Sequence, residues 1–278
     1  MSGWITLDIY QRLHECLENN IDVVLLTVTD VKHKNSKVNN QELNGFKLLY
    51  TADEHLFSKP NSPQSLQKVL LETAKQALSQ KISKIYTQTI SLKPAQTTEV
   101  EIYAEVYPSP PHLIVAGAGH VAKPVVQLGK MIGMYVTVIC DRPQYANREQ
   151  FPWADEVVCK QYVDYFRNLQ VDDNTFILLL TRGHQYDVMI LREMLGRQMR
   201  YLGMIGSKRR ISGVFSQLAT EFTEENFQNI FAPIGLYLGA QNPEEIAASK
   251  KAEILTVKNG RSGDSLRDRV RYFIRRKE

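Results

Sequence analysis

The chain has 278 residues, of which 43% are hydrophobic and 23% are charged, as in a globular protein long enough for two domains. No stretch reaches the roughly 20 apolar residues of a membrane span, and the first residues lack the basic and then apolar order of a signal peptide, so we expect a cytoplasmic protein without membrane contact. The net charge of +4 comes from residues 261–278, which carry seven basic and three acidic side chains against 27 of each elsewhere, and this pattern does not predict nucleic-acid binding.

Residues 1–106 predict a small mixed α/β domain. We expect a helix near 7–17, a buried strand at 22–28, a short strand around 46–50, and a helix at 63–79 with Pro63 in its first turn. Two strand-like runs follow, and the second alternates apolar with polar residues, as a strand with one face in solvent does. Its apolar positions are Val100, Ile102, Ala104 and Val106.

A proline-rich linker at 107–111 ends this domain, because three prolines in four residues remove backbone donors. From residue 112 to 258, short apolar runs alternate with helical patterns. That alternation predicts βαβ units and a Rossmann-type parallel sheet with helices on both faces. The predicted strands are 112–116, 135–139, 156–159, 176–180 and 201–205.

The last segment, 259–278, predicts a basic amphipathic helix. Leu266, Val270, Phe273 and Ile274 recur at helical spacing, and most of the arginines lie elsewhere around the helix. The pattern fits a docked helix with a solvated basic face, and a site for an acidic partner is the alternative.

The glycine turn after the first strand of the second domain is the strongest motif. Gly117, Gly119 and Ala122 form Gly-x-Gly-x-x-Ala, and a helix is predicted at 123–131. In a Rossmann fold the first glycine permits the tight turn, the second lets the main chain approach a diphosphate, and the small third residue packs helix on strand. The helix N-terminus beside His120 then faces an anion. A turn that only packs helix on strand is the alternative.

Asp141 ends the next strand, 22 residues after Gly119, where a Rossmann site places an acid on ribose hydroxyls. Arg142 follows at once and could hold a phosphate instead. We therefore predict both as cofactor-binding residues and leave the nucleotide open.

A second polar cluster follows the strand predicted at 176–180, at the sheet edge where open α/β folds bind ligands. Thr181, His184 and Asp187 are its candidate residues. In the alternative, Thr181 or Asp187 only caps the next helix.

A third cluster begins with Ser207, which is predicted to cap a helix, and continues with Lys208, Arg209 and Arg210. Cations at a helix N-terminus oppose the helix dipole by up to about 1 kcal/mol each, so the cluster predicts a bound phosphate or carboxylate. In the alternative the long side chains simply reach solvent.

The apolar loop at 233–239 precedes a helix that Asn242 caps and Pro243 begins. The loop is rich in turn residues and has no regular period. We expect Gly235 and its neighbours to close the rim of the cofactor cleft.

The three cysteines, Cys16, Cys140 and Cys159, have no CxxC spacing and no histidines at metal-ligand intervals, so we expect buried thiols and no metal site. The nucleophile motif Gly-x-Ser-x-Gly does not occur. The sequence therefore assigns no catalytic residue.

Four separated blocks of the sequence resemble the xanthine dehydrogenase accessory family, called XdhC/CoxI. They contain GAGHVA at 117–122, LLLTRGHQYD at 178–187, GSKRR at 206–210 and PIGL at 233–236, in the family's order. The first domain departs from the family pattern, because it lacks the Gly-Ser-x-Pro-Arg-x-x-Gly segment and the Gly-Gly-Cys-x-Glu turn.

The resemblance implies a protein that binds the molybdenum cofactor, promotes its sulfuration with a cysteine desulfurase, and delivers it to a molybdenum hydroxylase such as xanthine dehydrogenase. The ligand would be an anionic molybdopterin or its dinucleotide form, held in the cleft between the two domains of the chain, and the protein is expected to form a homodimer. The predicted cofactor-binding residues are Gly117, Gly119, His120, Asp141, Arg142, Thr181, His184, Ser207, Lys208, Arg209 and Gly235.

Other functions stay open, and one of them is a subunit associated with xanthine dehydrogenase. Asp141 at the ribose position suggests a NAD(P)-dependent oxidoreductase with His184 as the proton donor, although no second catalytic residue pairs with this histidine. The third interpretation is a regulator that has lost its ligand.

Overall fold

The computed structural model describes the chain in four segments, residues 2–33, 43–58, 62–93 and 96–268. The chain divides into two compact units, Met1–Ser109 and Pro110–Glu278. None of the described helices is both long and apolar enough to cross a membrane.

The first unit contains a five-stranded antiparallel sheet with the strand order β3-β2-β1-β5-β4. Its elements are α1 (Ser2–Glu18), β1 (Val23–His33), β2 (Lys47–Tyr50), β3 (His55–Phe57), α2 (Gln64–Gln80), β4 (Lys84–Lys93) and β5 (Gln96–Tyr107). The short strand β3 was not predicted, and Pro63 lies one residue before α2 rather than inside its first turn.

Apolar residues from both faces of β1 are buried in this unit. Val24, Leu26 and Val28 pack in the cluster that contains α2, whereas Val23 and Leu25 pack in the cluster that contains α1. Successive strand residues point to opposite faces, so the unbroken apolar run of β1 requires a helix on each side.

The second unit contains a six-stranded sheet with the strand order β11-β10-β9-β6-β7-β8, and all its pairs are parallel. Its elements are β6 (His112–Ala116), α3 (Ala122–Met131), β7 (Tyr135–Cys140), β8 (Glu156–Cys159), α4 (Tyr162–Asn168), β9 (Thr175–Leu179), α5 (His184–Met194), β10 (Tyr201–Met204), α6 (Lys208–Leu218), α7 (Glu224–Gln228), β11 (Ile230–Phe231) and α8 (Pro243–Asn259). This strand order is that of the Rossmann fold, and the predicted fold class is confirmed.

Helices cover both faces of the parallel sheet. Leu113 and Val115 of β6 pack with α3 and α8, whereas Ile114 and Ala116 pack with α4 and α5. The sheet is therefore buried on both faces, which explains why its central strands are continuously apolar.

Two predictions need correction here. Cys16 and Cys140 are buried, but Cys159 is exposed because β8 is an edge strand. Gly260 ends α8 in the left-handed conformation and residues 261–265 are not helical, so a helix does not start at 259. Helical residues resume at 266–268, and the predicted helix beyond them lies outside the described residues.

Candidate functional site

The order in which successive strands are added to the sheet reverses between β6 and β9. From β6 the chain continues through α3 on one face, and from β9 it continues through α5 on the other face. A crevice forms at such a point beyond the carboxyl ends of the two strands, and open α/β sheets bind ligands there. We call this region the switch-point crevice; residues 117–119 and 181–183 border it.

The two glycines of the turn have different structural roles. Gly117 has φ of +124°, and a Cβ on it would lie 2.3 Å from the carbonyl oxygen of Leu180. Its N–H also donates to the carbonyl of Ile139 at 2.9 Å. A Cβ on Gly119, by contrast, would meet no atom within 4 Å. Gly117 is thus required by the protein's own packing, and Gly119 leaves open space in front of the turn.

The amides that follow Gly117 have no protein partners among the described residues. Within the described residues, the N–H groups of Ala118, Gly119 and His120 donate no hydrogen bond to the protein, and His120 is exposed. No side chain caps α3 either. Free amides and the positive end of a helix dipole are the arrangement that binds an oxyanion.

Asp141 and Arg142 both have protein partners. The carboxylate of Asp141 pairs with Arg182 Nη2 at 2.9 Å, and only 10% of its side chain is exposed. The guanidinium of Arg142 lies 3.9 Å from the ring centre of Tyr145, and its buried Nε has no hydrogen-bond partner among the described residues. Asp141, which was expected to bind ribose hydroxyls, is therefore already paired with a cation of the protein, Arg182.

Asp187 is fully buried, so the expectation that it lines the crevice is wrong. Its carboxylate accepts hydrogen bonds from Thr181 Oγ1 at 2.6 Å and from Arg210 Nε at 2.9 Å. Burial raises the pKa of Asp187, and the hydrogen bonds from Thr181 and Arg210 oppose that shift. Neither Thr181 nor Asp187 caps α5, because Gly183 occupies the cap position without a side-chain bond. His184 is exposed at the first residue of α5.

Ser207 caps α6 as predicted, since its Oγ accepts a hydrogen bond from the N–H of Arg210. The side chain of Arg210 turns back to Asp187, so the expectation that all three cations need an external anion is wrong for this one. Lys208 and Arg209 are exposed, and the structure records no ion pair for either among the described residues. Two cations therefore remain available at the start of α6.

Gly235 anchors the apolar loop to α8. Its N–H donates to Glu253 Oε2 at 2.9 Å, and a Cβ on it would lie 2.4 Å from Ser249 Oγ. The buried hydroxyl of Tyr201 donates to the same Glu253 carboxylate. Packing alone thus explains this glycine, and its contact with a cofactor stays a prediction.

Comparison with known proteins decides the family. A model described as the XdhC Rossmann domain matches residues 113–254, just over half of the chain. The chain belongs to the XdhC family. The match covers the glycine turn, both polar clusters and Gly235 of this XdhC protein, and the resemblance found in the sequence is confirmed.

Two curated relatives and one solved structure are similar to this XdhC protein. "Uncharacterized protein YqeB" of Escherichia coli is 25% identical over 71% of this chain and 38% of its own length. A Bacillus subtilis protein described as a probable xanthine dehydrogenase subunit is 30% identical over 52% of this chain and 42% of its own length. The chain thus spans about two fifths of the length of these relatives.

The solved structure supports the fold. It is a Bacillus halodurans protein described as a xanthine dehydrogenase, with a TM-score of 0.53 and 19% identity, over 89% of this chain and 96% of that one. At this identity the likeness shows that the two chains share a fold, and it does not show that they share a chemical function.

Sequence reasoning on this XdhC protein missed three residues of the site. The sequence pattern groups Arg210 with the free cations of α6, and it singles out neither Arg182 nor Tyr186. Tyr186 lies in the first turn of α5 and Arg182 stands only four residues before it, just ahead of the helix, so this short separation is a local signal for the pair. The partner of Arg210 lies 23 residues away, and no local signal indicates it.

Proposed function

We propose that this XdhC protein is an accessory factor that binds the molybdenum cofactor and assists its sulfuration and its insertion into a molybdenum hydroxylase of the xanthine dehydrogenase type. Family membership and the name of the Bacillus subtilis relative support an association with xanthine dehydrogenase. A cysteine desulfurase partner and a cytoplasmic homodimer belong to the same proposal and are supported by the family resemblance.

The proposal rests mainly on two groups that can bind anions and that lie at the same edge of the parallel sheet. The free amides at 118–120 follow β6, and the exposed Lys208 and Arg209 follow β10. One strand, β9, separates β6 from β10, so the strands that lead into the two groups are about 10 Å apart across the sheet. A pterin with a phosphate, or its dinucleotide form, is an elongated anion that suits two such contacts.

In this proposal the amides of Gly119 and His120 hold one phosphate, and Lys208 with Arg209 holds a second anionic group. His184 and Thr181 border the space between them. When bound, the cofactor supplies the molybdenum centre that the client hydroxylase uses. The residues of this chain bind, orient and shelter it, and no turnover is assigned to them.

Binding of isolated cofactor tests the proposal. Cofactor released from a purified molybdenum enzyme would be titrated against the full chain, and bound pterin measured by its fluorescence after oxidation. The combined change Lys208→Ala and Arg209→Ala is expected to weaken binding by about a hundredfold, because two charged hydrogen bonds are lost and each contributes on the order of 1.5 kcal/mol.

The matched control removes two exposed lysines from a helix of the first unit. Lys68 and Lys75 lie on α2 and are both exposed, so Lys68→Ala with Lys75→Ala changes net charge equally. Affinity in that variant is expected to equal the wild-type affinity. No cofactor binding by the wild-type chain, or equal binding by both double variants, would contradict the proposal.

A further inference from the structure

An ion pair crosses the switch-point crevice. Arg182 lies just after β9, and its Nη2 is 2.9 Å from Oδ2 of Asp141, which directly follows β7. Strand β6 lies between β9 and β7, so the bridge spans two strand spacings, about 10 Å, over the carboxyl end of β6. That end is where Gly117 starts the glycine turn.

Several side chains hold Arg182 in this position. Its Nε donates to Tyr186 Oη at 3.1 Å, and its guanidinium lies 4.7 Å from the centre of the Tyr186 ring. The ring of Tyr186 in turn meets Tyr162 edge to face, with centroids 5.5 Å apart, and Tyr162 is buried. The arginine is thus stacked on one aromatic ring that a second ring supports, which limits its freedom to leave.

Both carboxylate oxygens of Asp141 have a partner in the protein. Oδ2 of Asp141 pairs with Arg182, and Oδ1 accepts a hydrogen bond from the thiol of Cys140 at 3.7 Å. Its side chain is 90% shielded from solvent. In a Rossmann site, the acid at this place accepts hydrogen bonds from the ribose hydroxyls of a nicotinamide dinucleotide. Such a ribose can reach Asp141 only after Arg182 has been displaced.

We propose that Arg182 is a specificity-determining residue that fills the ribose position of the crevice, so that the site rejects nicotinamide dinucleotides. This role rests on the proposed function, because the proposed function places the ligand in the crevice. A ligand accepted here is held through its phosphate by the turn amides and by the cations of α6, and it does not use Asp141. Asp141, which stands at the ribose-binding position, pairs with Arg182 instead of with a ligand.

Titration of NAD⁺ against the full chain by calorimetry tests this role. Arg182→Met keeps an unbranched side chain against Tyr186 but frees the carboxylate, and Arg182→Ala removes the side chain altogether. Both variants are expected to bind NAD⁺ about tenfold more tightly than the wild type, because a bridge that must open before the ribose binds lowers the apparent affinity by the fraction of molecules in which it is open. Adding Asp141→Asn to either variant is expected to abolish the gain.

Arg192 provides the matched control. It is exposed to the same extent as Arg182, 43%, and pairs with Glu221 at 2.7 Å outside the crevice. Arg192→Ala is expected to leave NAD⁺ affinity unchanged. Thermal unfolding of every variant establishes that it is folded before its affinity is compared.

The inference is overturned if the wild type binds NAD⁺ as tightly as the Arg182 variants, or if folded Arg182 variants show no gain. Failure of the proposed function has a separate signature, which is absence of pterin binding by the wild type. A gain in NAD⁺ affinity without pterin binding would support the role of Arg182 and reject the accessory function.

Discussion

The carboxylate of Asp187 is fully buried and accepts a hydrogen bond from Arg210 Nε at 2.9 Å. Arg210 also donates to the carbonyl oxygen of Thr181 at 3.1 Å. These bonds connect the segment after β9 with the first turn of α6, two pieces of chain that border the sheet edge. Arg210 is therefore part of the scaffold, and only Lys208 and Arg209 are left to meet a ligand.

Arg210→Met is expected to lower the free energy of unfolding by about 3 kcal/mol, because it leaves the buried charge of Asp187 without its partner. Arg192→Met breaks the exposed pair with Glu221 and is expected to cost less than about 1 kcal/mol. Urea unfolding followed by circular dichroism measures both. Similar losses for the two variants would show that the Asp187 pair has no special structural role.

The two glycines of the turn are expected to respond differently to alanine. Gly117→Ala places a methyl group against the carbonyl of Leu180 at a positive φ, and should destabilise the protein by about 2 kcal/mol or more. Gly119→Ala has open space and should change stability by less than about 1 kcal/mol, yet weaken binding of a phosphate-bearing pterin. Thermal unfolding and pterin titration separate the effects, and a stable Gly117→Ala variant would refute the packing argument.

Much of the fold could be predicted because its signals are local. Apolar runs that alternate with helical patterns indicate a buried parallel sheet, and the caps at Ser207 and Asn242 each depend on residues three positions ahead. The Oδ1 atom of Asn242 accepts the N–H of Glu245 at 2.8 Å, as its pattern predicts.

The side-chain pairs of the site could not be predicted, because their partners come from separate elements. Asp141 and Arg182 are 41 residues apart, and the sequence around each contains no sign of the other. The structure pairs them across the crevice. The need for Gly117 has a similar origin, since the atom that excludes a side chain there belongs to Leu180, on the neighbouring strand's extension.

Lys251 gives a pH-dependent prediction. This lysine of α8 is 4% exposed, with Met134 Sδ at 4.0 Å from its Nζ, and burial lowers its pKa from 10.5 to about 7. From about pH 7 to 10.5 the unfolded chain binds more protons than the native protein, so this group makes stability rise with pH across that window. Below about pH 7 the cost of the buried charge is complete and constant.

Lys251→Met is therefore expected to be more stable than the wild type by a few kcal/mol at pH 6, at about 1.4 kcal/mol per unit of pKa shift. The difference should shrink steadily towards pH 10. Urea unfolding at pH 6, 8 and 10 measures it, with Lys258→Met in the last turn of α8 as the control. A stability difference that is the same at all three pH values would contradict the buried charge.

The turn at 117–120 and the start of α6 are proposed to hold an anionic pterin, and the small molecule that the protein retains through purification tests this binding. The full chain would be produced in cells that make the molybdenum cofactor, purified, denatured, and its released small molecules identified by mass spectrometry. We predict molybdopterin or its dinucleotide form, in an amount that falls sharply with Lys208→Ala and Arg209→Ala. Release of NAD(P), or of no pterin at all, would show that these residues do not hold a pterin.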